Sequence, residues 1–348
     1  MTSEIDQEIL FDRQGHAGIV TLNRPKALNA VTHNMILRMD AKMREWEADA
    51  AVKAVIVKGE GRAFSAGGDI MDVYRAGKEG RKLTQFFADE YRLNAYLARY
   101  SKPVVSLIDG IVMGGGVGLS FHGSHRVLGE KALFAMPEVG IGFFPDVGGG
   151  YLLSRVKGGY GMYLGLTGGR IGPGDTLRAG LATHAVKSEN IAAVEQGVAE
   201  TGNPDAVLAP LAIRPEPTVD ESTVAQIGHH FTRGSLEDLI ESLRQGRQAG
   251  EEFAAKTLAL IESRSPTSVS VAFRQVTYSE MLDMDEVMRM EFRILNRMLE
   301  GHDFYEGIRA VLVDKGDTPR WSPPSFAEID GAQIDKYFAP LPGAELQL

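Results

Sequence analysis

Cysteine is absent from this 348-residue chain. That excludes a disulfide framework, a thiolate zinc or iron–sulfur site and a cysteine nucleophile. Excess basic charge is absent too: 37 lysines and arginines stand against 46 aspartates and glutamates, a formal charge of −9. Such a balance lacks the basic face that non-specific nucleic-acid binding needs. No apolar run approaches the roughly 18 residues of a membrane-spanning helix. Met1 to Leu10 carries Glu4, Asp6 and Glu8 with no basic or apolar stretch behind them, unlike a secretory signal or an Arg-rich transit peptide. The expected location is therefore cytoplasmic, with no nucleic-acid or membrane partner. The eight histidines offer no metal spacing; His122 and His125 lack a completing carboxylate, and His229-His230 reads as a solvated pair. No G-x-S-x-G elbow or phosphate-binding P-loop is present.

Glycine is in surplus. Forty residues are glycine, above the roughly 7 % of an average chain. They cluster at Gly67-Gly68, at Gly114-Gly115-Gly116 with Gly118, and at Gly148-Gly149-Gly150. Clusters of this kind bring backbone close to something. The first half alternates short strand patterns (Ile19–Leu22, a β-branched run, Ala54–Val57, Val104–Ile108, His125–Leu128 and Ala132–Ala135) with helical patterns at His33–Trp46 and about Thr84–Arg99. This predicts an α/β core. Beyond a proline-rich connection at residues 203–217 the pattern turns helical through Leu236–Arg244, Glu251–Ser263, Thr267–Val276, Asp285–Glu300 and His302–Val313. The expected division is a core over 1–205 and a mainly helical region over 206–348, packed on the core or on a partner subunit.

Three segments carry candidate chemistry. Arg62 to Ile70 and Asp109 to Ser120 each follow a strand and are rich in glycine. Two unencumbered backbone N–H groups converging from such loops form an oxyanion hole. The third segment, Met136 to Gly150, holds Glu138 and Asp146 among apolar residues, where desolvation raises a carboxylate pKa and suits it to proton transfer or attack. Glu90 shares a helical stripe with Phe86, Leu93 and Leu97, which places it either in the interior with a partner or at a pocket wall.

These segments resemble the enoyl-CoA hydratase/isomerase (crotonase) superfamily, and within it the 3-hydroxyisobutyryl-CoA hydrolase branch. Ala63 to Ile70 is similar to the first oxyanion loop and Gly114-Gly115-Gly116 to the second; Met136-Pro137-Glu138 is similar to the segment bearing the catalytic glutamate. The similarity continues through Thr167–Gly180 and Gly301–Leu312. It implies a crotonase-like spiral of strand-strand-helix turns with a helical C-terminal region. It also implies oxyanion donors at Gly68 and Gly115, and thioester hydrolysis with Glu138 as nucleophile or general base. Asp146 and Glu90 would hold a 3-hydroxyl. Hydratases of the superfamily carry a second glutamate where this chain has Gly118, and tend to have glycine where it has Asp146. The implied substrate is an acyl-CoA, valine breakdown being the branch's usual setting. Backbone near Ala66, Gly67 and Asp69 would contact coenzyme A, with Arg24, Lys26, Arg75, Lys78, Arg81 and Lys82 as candidates for its phosphates. No cofactor beyond the substrate's own coenzyme A is implied, and a homo-oligomer is compatible. The competing readings are an enoyl-CoA hydratase or isomerase and a non-catalytic acyl-CoA-binding protein.

Overall fold

The short strand patterns form strands in the computed structural model, which describes residues 7–348; residues 1–6, with the acidic Glu4 and Asp6, lie outside the described residues. In chain order the strands are β1 (Ile9–Gln14), β2 (Ala17–Leu22), β3 (Ala54–Gly59), β4 (Ala63–Ser65), β5 (Val104–Ile108), β6 (Ile111–Met113), β7 (His125–Leu128), β8 (Leu133–Ala135), β9 (His184–Val186) and β10 (Ala212–Ile213). A seven-stranded sheet has the order β1-β2-β3-β5-β7-β9-β10, and a three-stranded sheet the order β4-β6-β8. The pairs from β2 through β9 are parallel, and only β1/β2 and β9/β10 are antiparallel. Each of β3, β5 and β7 in the large sheet leads within a few residues to β4, β6 or β8 in the small one. That is the spiral of strand-strand-helix turns.

The central strands are buried almost without interruption, as parallel strands covered on both faces are, and alternation sorts their side chains between the two faces. Ile19, Ala54, Ile56, Val105, Leu107, Val127 and Val186 form one cluster with Val194, Val198 and Leu208. The helix Ile191–Thr201 supplies Val194 and Val198 at the spacing of one helical face. Fully burying each such side chain contributes about 1.5–3 kcal/mol.

The chain divides into two compact units, each drawn from three stretches. One takes the residues up to Asp69, Asp89–Phe134 and Ile171–Thr218; the other takes Ile70–Ala88, Ala135–Arg170 and Val219–Leu348. Where sequence pattern predicts one switch near residues 200–215, the chain therefore crosses between units five times, the last at Thr218 to Val219. The first unit contains the large sheet. The second is helical, built around Pro266–Ser279, which packs on Gly149–Ser154 and Tyr160–Thr167. Its neighbour Met284–Met298 starts on a reciprocal cap, in which the Asp283 carboxylate accepts from Glu286 N and the Glu286 carboxylate accepts from Asp283 N. No helix of the described residues is long and apolar enough to cross a membrane.

Candidate active site

Two neighbouring parallel strands explain how Gly68 and Gly115 meet. β4 pairs with β6 through Ala63–Ile111 and Ser65–Val112, so the loops leaving them emerge at the same edge. In the first loop Ala66 N donates to Leu28 O at 3.0 Å and Asp69 N to Val31 O at 2.8 Å, while Gly67 O accepts from Val31 N at 2.9 Å. Gly68 N–H, between them, donates to no group among the described residues. Gly115 N–H, at the first turn of the helix Gly115–Ser120, is equally without an acceptor there. The residue before each donor, Gly67 (φ +120°) and Gly114 (φ +49°, ψ −124°), holds a conformation L side chains rarely adopt and turns the next amide outward. A Cβ on Gly115 would lie 3.1 Å from Gly68 N and 2.8 Å from Glu90 Oε1. Two amides and a carboxylate therefore bound one small space. Glu90 is 2 % exposed, so its stripe runs through the interior.

Glu138 and Asp146 belong to the second unit. Glu138 opens a short 3-10 helix, Glu138–Ile141, is 7 % exposed, and its Oε2 is buried without a hydrogen-bond partner. Burial pushes its carboxyl well above the ordinary 4.5, and the nearby charges of Asp146 and Glu291 push it further. Asp146, 5 % exposed, precedes two consecutive left-handed residues, Val147 (φ +53°) and Gly148 (φ +82°). A β-branched residue in that region costs on the order of 1–3 kcal/mol, and such strain clusters at functional sites. Among the described residues no group of three or more His, Asp or Glu side chains is placed to hold a metal ion.

A family profile described as enoyl-CoA hydratase/isomerase matches residues 17–338. The chain belongs to the enoyl-CoA hydratase/isomerase family. It is 44 % identical to the mitochondrial 3-hydroxyisobutyryl-CoA hydrolase of Danio rerio, over all of this chain and 94 % of that protein. It is 41 % identical to the protein of the same name from Homo sapiens, over 98 % of this chain and 91 % of that one. A carnitinyl-CoA dehydratase from Mycobacterium thermoresistibile superposes with a TM-score of 0.92 at 40 % identity, over 98 % of both chains. An enoyl-CoA hydratase from Rhodobacter sphaeroides gives 0.88 at 34 % identity, over 98 % of this chain and all of that one. The fold is the crotonase fold, as the glycine loops imply. The cytoplasmic expectation is overturned, because these curated hydrolases are named as mitochondrial. It rested on ten N-terminal residues, whose acidity carries no information about compartment.

Within this family member the phosphate candidates differ in what already occupies them. Arg24 donates to Ala30 O at 2.5 Å and Asp69 Oδ2 at 3.0 Å and pairs with Glu8 Oε1 at 3.2 Å, so its guanidinium ties the 24–30 loop to the oxyanion loop. Arg75 pairs with Asp72, Arg81 with Glu79 and Lys82 with Glu300, while Lys78 lies over the Tyr74 ring. Lys26 is exposed and has no ion-pair partner among the described residues. Arg24→Ala is therefore expected to lower Tm with little change in KM for an acyl-CoA. Lys26→Ala is expected to raise KM several-fold, roughly the worth of one exposed charge contact, with no change for the matching pantetheine thioester. Steady-state kinetics on both esters, beside a melting curve, separates the two.

Two buried residues, His230 and Glu291, are not among the candidates read from the sequence. His230 is not a solvated histidine: it is 1 % exposed, Nδ1 is 2.8 Å from Ser242 Oγ, and Nε2 is 3.1 Å from Glu251 Oε2. Its partners lie 12 and 21 residues ahead, beyond any local pattern. Glu291 is fully buried, its Oε2 accepting from Gly148 N at 2.8 Å and its Oε1 from Gly150 N at 3.0 Å and Gln275 Nε2 at 2.8 Å. Burial pushes its carboxyl up to about 8, against the pull of those donors. The signal was present: Val287, Met288, Ile294 and Leu295 surround it at helical spacing, the stripe logic that singles out Glu90.

Proposed function

We propose that this chain hydrolyses the thioester of a 3-hydroxyacyl-CoA, with 3-hydroxyisobutyryl-CoA as the first candidate. The thioester oxygen is received by the N–H groups of Gly68 and Gly115. Glu138 attacks the carbonyl carbon, or takes a proton from a water that does, and coenzyme A leaves as its thiolate. Attack by the carboxylate would leave an acyl-enzyme anhydride that water opens. The chief support is the pair of undonated amides in a chain that also carries a buried, partly unpartnered carboxylate at Glu138. Curated relatives named as hydrolases, similar over the whole chain, support it independently. Asp146 and Glu90 hold the substrate's 3-hydroxyl, and such hydrogen bonds discriminate strongly against acyl groups that lack it. Lys26 meets the phosphates, and valine breakdown is the fitting setting.

Hydration of an enoyl-CoA is the second reading, favoured by the names of the two superposed structures. Adding water across a double bond needs a group to activate water and a group to protonate carbon. Position 118, where hydratases hold their second glutamate, is a glycine buried in the helix Gly115–Ser120. One acid is missing.

Because the ionised Glu138 is the reactive form, kcat/KM should rise with pH along an acid limb well above 4.5, the carboxyl's ordinary value. Initial rates across pH read this directly, and a limb at the ordinary value would contradict it. In a single turnover in oxygen-18 water, label in the Glu138 carboxylate with an unlabelled product marks an anhydride opened at the glutamyl carbon. Labelled product with unlabelled enzyme is common to the general base and to an anhydride opened at the acyl carbon, which trapping with hydroxylamine then separates.

A further inference from the structure

The Pro145–Gly150 turn is held from below by two side chains that the reaction, as proposed above, does not use. Gln275 Nε2 donates to Pro145 O at 2.7 Å and to Glu291 Oε1 at 2.8 Å. Glu291 accepts from the amides of Gly148 and Gly150. Gly149 N closes the turn on Asp146 O at 2.7 Å. Asp146 therefore sits between anchored neighbours on both sides, in a segment whose Val147 is held at φ +53°.

We propose that Glu291, assisted by Gln275, is a positioning residue that fixes the Pro145–Gly150 turn and so presents the Asp146 carboxylate to the substrate's 3-hydroxyl. The inference rests on the hydrolase reading, in which Asp146 binds that hydroxyl. Glu291 has no arginine or lysine partner among its hydrogen bonds; its acceptor capacity goes to two main-chain amides and one amide side chain. Any buried carboxylate needs donors; those of Glu291 are two amides of the turn itself and the Gln275 side chain that also holds Pro145 O. Both oxygens are used, one on each side of Gly149. A glutamine at 291 keeps the shape but turns an N–H₂ toward a main-chain N–H, which breaks one anchor and releases the strained turn.

Thiol release is measured with 3-hydroxyisobutyryl-CoA and with isobutyryl-CoA, which lacks the hydroxyl, for the intact protein, Glu291→Gln, Gln275→Leu and Asp146→Asn, beside melting curves. A misplaced contact costs on the order of 10²-fold. That is the loss of kcat/KM expected for Glu291→Gln on the hydroxylated ester, with little change on isobutyryl-CoA. The preference for the hydroxyl should collapse as it does in Asp146→Asn. Gln275→Leu should move the same ratio in the same direction by less. It decides alone if Glu291→Gln does not fold. Parallel losses on both esters, tracking Tm, would reduce Glu291 to a structural residue and overturn the proposal while leaving the hydrolase reading standing. An intact protein with no preference for the hydroxylated ester would overturn that reading of Asp146, and the proposal with it.

Discussion

Glu138→Gln is expected to lower kcat for thioester hydrolysis by at least about 10³-fold, the scale on which a positioned acid–base group acts. The substitution keeps the shape of a side chain that is 7 % exposed and removes its charge. Its second expected consequence is opposite in sign. The folded-state pKa of Glu138 is raised above 4.5 by burial and by the charges of Asp146 and Glu291. Between those two values the native state binds more protons than the unfolded one. The contribution to stability is thus complete below 4.5 and is lost as pH rises through the folded-state value. Glutamine has no such loss. The variant should be inactive and should melt at a higher temperature than the parent, by a margin that widens as pH rises. Tm measured at acidic and alkaline pH beside initial rates checks both. An inactive variant that melts lower at every pH would point to a structural glutamate.

Gly115→Ala is expected to cost roughly 10²–10³-fold in kcat, as does removing one donor from an oxyanion hole. The reason is local. The new methyl would stand 3.1 Å from Gly68 N and 2.8 Å from Glu90 Oε1, in the space the thioester oxygen would occupy. Glu90 can swing away, but the Gly68 amide is main chain tied through Ala66 and Asp69 to the 28–31 loop. A loss in kcat with the far-ultraviolet spectrum and Tm retained is the predicted outcome. Retained kcat would mean that the carbonyl oxygen binds elsewhere.

The parts of this protein that read directly from its residues are those where backbone conformation demands a residue type. Gly67 and Gly114 are required by their φ values, and both flank the proposed donors. The strands β3 and β5 announce themselves through β-branched runs. β1 does not, because only Ile9 of its six residues is buried, Phe11 is half-buried against Trp46 and the other four are exposed on an edge strand. The helix expected over His302–Val313 is α-helical only through Asp303–Ile308 and then widens into a π turn at Arg309–Val313. There Arg309 is drawn to Glu306, Asp314 and Asp317 at once. Glu291 illustrates the opposite limit. Its position on an apolar stripe was visible, but its partners Gly148 and Gly150 lie 143 and 141 residues away. The division into two units was equally hidden, because it depends on which distant stretches of chain pack together, and excursions such as Ile70–Ala88 and Ala135–Arg170 return to the first unit.

Hydrolysis is tested most directly by steady-state thiol release from 3-hydroxyisobutyryl-CoA, with 3-hydroxypropionyl-CoA and crotonyl-CoA in parallel. The protein has no cysteine, so every thiol detected belongs to the coenzyme. Rapid release from the hydroxylated esters, with the double-bond absorbance of crotonyl-CoA unchanged, is the result this account predicts. Loss of that absorbance without thiol release, and no turnover of either hydroxylated ester, would contradict it.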